Sequence, residues 1–375
     1  MERRDVVIVG AGPAGACAAL ALLAAGHRVR LFERHEEIVS SPCGEAIPQI
    51  ALAMLEAATG FDSSPYVRHL PEHGRLVFPD GRHVVLLRGM AVLDRTAWQR
   101  AMVDQVRELG GEVQLGVRVE RILPASSEVV LSRGRRQLFD RCLDASGPRS
   151  RLLPVPDRLA CTQLTVDGDQ PPDGDLWFLL DKRFSPHGAW LFPRGTGYHL
   201  GLVGTARSLR RLRRHLGLEG RRGTLRAAPI PVGGTCCTHG PVLALGDAAG
   251  MAAAVHGGGL FPIIASLQPL VAAVATGDLE SYQTAVTAVS DLRAQSASVA
   301  ALRSFTNREL DRLADGLAGC DLSSPEGPPA DALAALATMG SLGHRFTVFL
   351  RGFVGPTAPS LEAAVASSEQ LAFQA

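Results

Sequence analysis

The feature that most limits what this chain can fold into lies in its first 34 residues. Asp5–Val9 is a short β-branched run, followed by Gly10-Ala11-Gly12-Pro13-Ala14-Gly15 and an alanine- and leucine-rich stretch that closes at Gly26. The order reads as strand, tight turn, helix, stop. A second strand pattern, Arg28–Phe32, ends on Glu33 with Arg34 beside it, about 20 residues past the glycines, where a ribose-binding acid belongs. Gly10 permits the sharp turn, Gly12 lets backbone approach a pyrophosphate, and Gly15 lets helix and strand pack closely. Pro13 and Ala14 open a helix whose free N–H groups and partial positive charge face the phosphates. Glu33 is expected to accept the adenosine ribose hydroxyls, and its charge disfavours a 2′-phosphate. The site therefore suits FAD or NAD rather than NADP.

At 375 residues the chain has the size of two intimately packed domains. Its 46% hydrophobic and 20% charged residues exclude a disordered or fibrous chain. A net charge of +1 removes any global electrostatic case for nucleic acid or membrane. The seven cysteines are scattered, with no CxxC pair and no histidine at zinc spacing, so reduced thiols, no metal and a cytoplasmic location are expected. The N-terminus enters a strand pattern directly, with no signal-peptide pattern, and is expected to be the mature start. Residues 257–276 are apolar, but three glycines, Pro262, Gln268 and Pro269 interrupt them, which reads as a buried helix rather than a membrane span.

Residues 92–109 read as a helix, and segments near 112–120, 128–132 and 141–145 as strands extending the nucleotide-binding sheet. Residues 160–205 alternate like antiparallel strands, and 241–275 return to strand, glycine-rich loop and long apolar helix. Beyond 278 the pattern is helical, broken by the loop Ser323–Pro329. The expected fold class is α/β. A Rossmann-type, GR2-like dinucleotide-binding domain (1–80, 92–158 and 235–278) holds an inserted antiparallel substrate sheet (81–91 and 159–234), and a helical region (279–375) follows.

Leu243–Gly259 adds Gly246-Asp247-Ala248 and then Gly257-Gly258-Gly259. In this the chain resembles the flavoprotein superfamily of p-hydroxybenzoate hydroxylase, geranylgeranyl reductases and flavin-dependent halogenases. The resemblance implies non-covalent FAD, with Asp247 on the ribityl chain and Gly257–Gly259 near the pyrimidine end of the isoalloxazine. It also implies cofactor contacts from Arg95 and from Asp144–Ser150, which includes Gly147. Two positions depart from the pattern. Ala254 stands where proline is usual, and Ser146-Gly147 stands where hydroxylases carry Asp-Gly. The second departure weakens direct reduction by NADPH, leaving NAD(P)H or a separate flavin reductase as the electron source.

Cys43-Gly44-Glu45-Ala46-Ile47-Pro48 is similar to a motif of the reductase-like and halogenase-like members, and Gly188–Pro193 to their W-x-F-P or W-x-I-P strand. This places Cys43 and Gly44 against the cofactor, Trp190 as an aromatic wall and Glu45 near the active-site entrance. The halogenases need a lysine early in the chain, whereas Lys182 is the only lysine here, so halogenation is rejected. Hydroxylation of an organic substrate, aromatic or carrier- or peptide-bound, leads by analogy with the fold. Carbon–carbon double-bond reduction or dehydrogenation is the alternative, although Gly188 replaces a tyrosine of the reductase pattern. A non-catalytic electron carrier is the third reading.

Acid–base candidates are His256, Glu45 and His187, with His256 either a proton-transfer group of near-neutral pKa or a histidine bonded to backbone. Cys43 is either redox-active or a packed small side chain. Arg207, Arg210, Arg211, Arg213, Arg214, Arg221, Arg222 and Arg226 cluster after the substrate strands, with Ser208 as N-cap and Leu209, Leu212 and Leu216 at helical spacing. They form either a solvated face or a dock for an acidic partner.

Overall fold

Pieces far apart in sequence assemble the sheet beneath the nucleotide site. The computed structural model describes residues 3–39, 41–150, 152–168, 173–290, 292–323 and 329–354. Six strands lie in the order Thr238–His239, Val242–Ala244, Arg141–Asp144, Asp5–Val9, Arg28–Phe32, Glu112–Gln114. All neighbours are parallel except the first pair. Both faces of the central strand are buried, as a parallel sheet requires. Val6 and Ile8 pack among helices Pro13–Ala24 and Arg95–Glu108, while Val7 and Val9 face Val129, Leu131 and Phe139.

Those last contacts correct one expectation. Strands Val119–Leu123, Glu128–Leu131 and Arg136–Leu138 do not extend the parallel sheet; they form a separate three-stranded antiparallel sheet laid over it. Alternation marks a strand without naming its partner. The helix expected over 92–109 begins at Arg95, because Val92 and Leu93 belong to strand Met90–Leu93 and the Asp94 side chain caps the helix by accepting from Ala97 N–H at 3.0 Å. The long apolar helix is two helices, Leu260–Ala265 and Leu267–Thr276, separated at Ser266. Pro269 lies in the first turn of the second, where a missing N–H breaks no intrahelical bond.

The sheet expected to hold substrate has seven strands, ordered Thr224–Val232, Asp157–Val166, Tyr198–Val203, Ala189–Pro193, Leu176–Leu179, Gly74–Val77, His83–Leu87. It takes up the chain at Gly74, earlier than the expected residue 81, because Gly74–Val77 pairs parallel with Leu176–Leu179. Side chains alternate across it. Leu191, Leu200 and Leu202 face helix Ala206–His215 through Leu209 and Leu212, while Trp190, Phe192, Gln163 and Cys161 face the nucleotide-binding domain. Thr205, rather than Ser208, caps that helix, accepting from Ser208 N–H at 3.2 Å.

Helices Leu292–Ser304, Asn307–Leu317, Ala330–Thr338 and Ser341–Val354 close over the sheet edge around Leu76, Phe78, Val84 and Leu86. Residues 324–328 of the expected loop and 355–375 of the expected helical region lie outside the described residues. Among the described residues no helix is long and apolar enough to cross a membrane, and no metal-binding cluster occurs.

Candidate active site

A cavity of about 1590 Å³ runs from the Gly10–Gly15 turn to the inward face of the seven-stranded sheet. At its nucleotide end three glycines do different work. Gly10 adopts φ +98°, and a Cβ there would lie 2.5 Å from the Ala145 carbonyl oxygen. Gly15 sits behind the cavity wall, where a Cβ would lie 1.9 Å from the Gly10 carbonyl oxygen, so only glycine lets the helix dock on the strand. At Gly12 a Cβ would meet nothing within 4 Å. That open space, bordered also by Pro13 and Ala14, is the kind of cradle a pyrophosphate needs.

Glu33 ends its strand with one carboxylate oxygen accepting from Ala11 N–H (2.9 Å) and the other from His35 N–H (3.0 Å). Arg34 borders the cavity beside it. Gln99, which the sequence did not single out, borders the cavity and donates to the Ala11 carbonyl while its own buried Oε1 lacks a protein partner. A buried acceptor in that position suits a ligand hydroxyl. Asp247 follows Gly246, whose φ of +68° turns the chain behind the wall, and burial pushes its carboxyl pKa up to about 6 against the pull of Arg95. Glycine turn, orphaned acceptor and desolvated acid together fit FAD.

Asp144 borders the cavity too, but its carboxylate accepts from Ser146 N–H and from the hydroxyls of Ser146 and Ser150, each at 2.6 Å. It therefore shapes the loop carrying Gly147. Gly257, at φ +73°, and Gly258 and Gly259 border the cavity nearer the substrate sheet. His256 takes the backbone-bonded reading: Nδ1 accepts from Gly258 N–H at 3.1 Å and the ring tilts against Phe353. The ring is exposed to the cavity yet walled by protein, and this lost hydration holds its pKa down to about 4, not near neutrality as expected.

Over the other end lies the aromatic wall. Trp190 lies flat across the neighbouring strand because Gly201 has no side chain; a Cβ there would be 2.1 Å from the indole. Gly44 leaves room for Phe192 in the same way. Glu45 adopts φ +62°, a left-handed backbone that costs a non-glycine residue roughly 1–3 kcal/mol, and its side chain borders the cavity. Cys43 is a free thiol whose Sγ accepts from Glu45 N–H at 3.3 Å. Sequence reasoning missed Gln163, Thr165, His199 and Arg194, which gather around Glu45. For Gln163, Thr165 and His199 the signal was a polar residue at an inward position of an otherwise apolar strand; Arg194 follows the strand Ala189–Pro193. Lys182 is remote from this chemistry, its ammonium donating to the Pro186 and Leu302 carbonyls.

His187 also borders the cavity, buried and without a hydrogen-bond partner at Nε2. Lost hydration, then the charges of Arg303 and Lys182, hold its pKa down to about 4. The unfolded chain binds a proton near pH 6.5 that the fold refuses, so stability falls as pH drops from about 6.5 through 4. The His187→Gln variant is expected to lose less melting temperature than the wild type across that window. Asp247 works in the opposite direction, so the difference between the two proteins is the readout, and identical pH profiles would refute the assignment.

Residues 4–174 match the pyridine nucleotide-disulphide oxidoreductase family. Digeranylgeranylglycerophospholipid reductase 1 of Methanopyrus kandleri is 33% identical over 208 residues, 51% of this chain and 55% of that protein. The corresponding reductase of Methanothrix thermoacetophila is 27% identical over 69% of this chain and 74% of its own. The chain spans about half the length of the two Methanopyrus relatives it matches. Among solved structures, a geranylgeranyl bacteriochlorophyll reductase-like protein of Thermoplasma acidophilum superposes with a TM-score of 0.74 at 20% identity, covering 99% of this chain and 100% of that one. A flavin-dependent halogenase superposes at 0.64 and 18% identity, covering 100% of this chain and 77% of its own.

Proposed function

The chain has the FAD-binding fold of the geranylgeranyl reductase-like, halogenase and hydroxylase flavoproteins, and from that premise we propose that it is an oxidoreductase reducing carbon–carbon double bonds of an isoprenoid chain. This moves the reading from hydroxylation, the first expectation, to its alternative. The observation that carries it is the arm of the cavity beyond Gly257–Gly259, walled by Phe178, Trp190, Phe192, Phe353, Leu159 and Ile230. Such a surface suits a long hydrocarbon. The similarity to digeranylgeranylglycerophospholipid reductases of Methanopyrus and Methanothrix supports it.

FAD, held by the Gly10–Gly15 turn, Glu33 and Asp247, would in its reduced form supply an electron pair and one hydrogen to the double bond. The chain's own residues do the rest. The aromatic wall holds the substrate and excludes water, and the Glu45 carboxyl, at the cavity surface, is the group placed to give the second hydrogen as a proton. The arginines of helix Ala206–His215 point away from this arm, behind the substrate sheet, so an acidic partner such as an electron-supplying protein would dock there without touching the substrate.

The test is anaerobic mixing of chemically reduced holoenzyme with a geranylgeranyl-bearing lipid. Flavin reoxidation with a product gaining two hydrogens per reduced bond is expected. No reoxidation by isoprenoids, together with incorporation of an oxygen atom from dioxygen into an organic substrate, would return the protein to hydroxylation.

A further inference from the structure

Beneath the aromatic wall lies a buried polar network. Glu45 Oε2 accepts from His199 Nε2–H at 3.0 Å, and the Arg194 guanidinium stands 3.5 Å from the same oxygen. His199 is 3% exposed and does not reach the cavity. Its other nitrogen, Nδ1, lies 3.0 Å from Gln163 Nε2 and 3.0 Å from Thr165 Oγ1. Gln163 is oriented unambiguously: its Nε2 donates to the Cys43 carbonyl at 3.0 Å and its Oε1 accepts from the Trp190 indole N–H at 3.2 Å. With Gln163 so pinned, His199 Nδ1 is an acceptor and Nε2 carries the hydrogen that Glu45 receives.

Thr165 adds to this arrangement, its hydroxyl donating to Nδ1 of the neutral imidazole at 3.0 Å. The charged groups facing the pair are Arg194, from the turn after the Trp190 strand, and behind it Asp167, which binds Arg194 at 2.9 Å. Glu45, with its left-handed backbone, sets its carboxyl against His199 and is itself one of the residues lining the cavity, its side chain 11% exposed.

We propose that Glu45 and His199 form one unit of the active site, in which Glu45 delivers a proton to substrate and His199 positions the carboxyl and stabilises the carboxylate left behind. The assignment rests on the double-bond reduction proposed above. In that reaction the π bond breaks, one new C–H bond would take its hydrogen and electron pair from reduced flavin, and the other takes a proton from the Glu45 carboxyl. Glu45 becomes carboxylate, which His199 Nε2–H steadies by donating to Oε2, and Glu45 regains one proton from solvent before the next turnover. Glu45 is the catalytic residue; His199 acts through it.

The test uses FAD-loaded wild type, Glu45→Gln, His199→Gln and the double variant. Nitrogen-edited NMR of the resting protein reads the imidazole without turnover: His199 is expected as the Nε2–H tautomer, with that proton's signal shifted in Glu45→Gln. In anaerobic turnover with a geranylgeranyl lipid, Glu45→Gln is expected to lower kcat about 100-fold with KM within about threefold, as loss of a general acid does. His199→Gln is expected to lower kcat about tenfold, and the double variant to be no slower than Glu45→Gln, since groups acting as a unit are not additive. Multiplying effects, or Glu45→Gln within about threefold of wild type, would overturn the unit. If no isoprenoid reoxidises the wild type, the reduction reading falls instead, and the pair is judged by NMR. An Nδ1–H tautomer, or a signal insensitive to Glu45→Gln, then overturns it.

Discussion

Replacing Gly12 with aspartate yields a folded but colourless protein. Gly12 has ordinary extended dihedrals, φ −65° and ψ 179°, and a Cβ there meets open space, so the backbone tolerates any residue. It is also the N-cap of helix Pro13–Ala24, a position aspartate favours. The space a side chain enters is, however, the seat proposed for the pyrophosphate, and aspartate brings a like charge to it. A loss of about 4 kcal/mol of binding is expected, roughly 1000-fold in FAD affinity, with the melting temperature of the apoprotein changed by only about 3 °C. Gly15→Val supplies the contrast. Its Cβ would stand 1.9 Å from the Gly10 carbonyl, so the helix cannot dock and the protein is expected to be insoluble. Flavin absorbance, circular dichroism and melting curves of the two variants separate a cofactor contact from a packing contact; a yellow Gly12→Asp protein would relocate the pyrophosphate.

Truncating Phe349 to alanine is expected to cost roughly 3–5 kcal/mol in denaturant unfolding. Phe349 is fully buried in helix Ser341–Val354, with ring centroids 5.6–6.3 Å from those of Phe353, Phe346 and Phe305. It joins helices Leu292–Ser304 and Ser341–Val354, and the cavity it leaves is lined by aromatic rings too rigid to refill it. A functional change should accompany the loss. Phe353 meets Phe178 edge-on at 4.9 Å and touches His256, so loosening Phe349 releases part of the substrate wall. KM for an isoprenoid is expected to rise while FAD stays bound. A loss below about 1 kcal/mol would mean that the C-terminal helices relax around the gap.

The nucleotide end was legible because each of its requirements is local. A turn needing φ of +98° asks for glycine at Gly10, and a helix pressed onto its own preceding turn asks for glycine at Gly15. Glu33 needed only the period of one βαβ unit to be placed. Asp247 and Gly257–Gly259 were found by resemblance, and all four border the cavity. The chemistry around Glu45 was not legible in the same way. Glu45 itself was singled out, but Gln163, His199 and Arg194 sit 118, 154 and 149 residues further on, and no motif joins them.

By itself the sequence determined the dinucleotide turn, the acid at the end of the second strand and the α/β class, because short-range geometry and one recurring unit suffice for these, while the choice of FAD over NAD came from the resemblance at Leu243–Gly259. Only the tertiary structure decided which strands pair. Hydrogen bonding alone does not choose between two sheets; that choice depends on which faces can be buried, and it sent Val129 and Leu131 over the parallel sheet instead of into it. The same long-range packing left Trp190 flat over Gly201, placed Phe353 opposite Phe178, and set His199 behind Glu45. The aromatic end of the cavity and the Glu45–His199 pair exist only where strands and helices distant in sequence meet, since burial of their shared face is what brings them together.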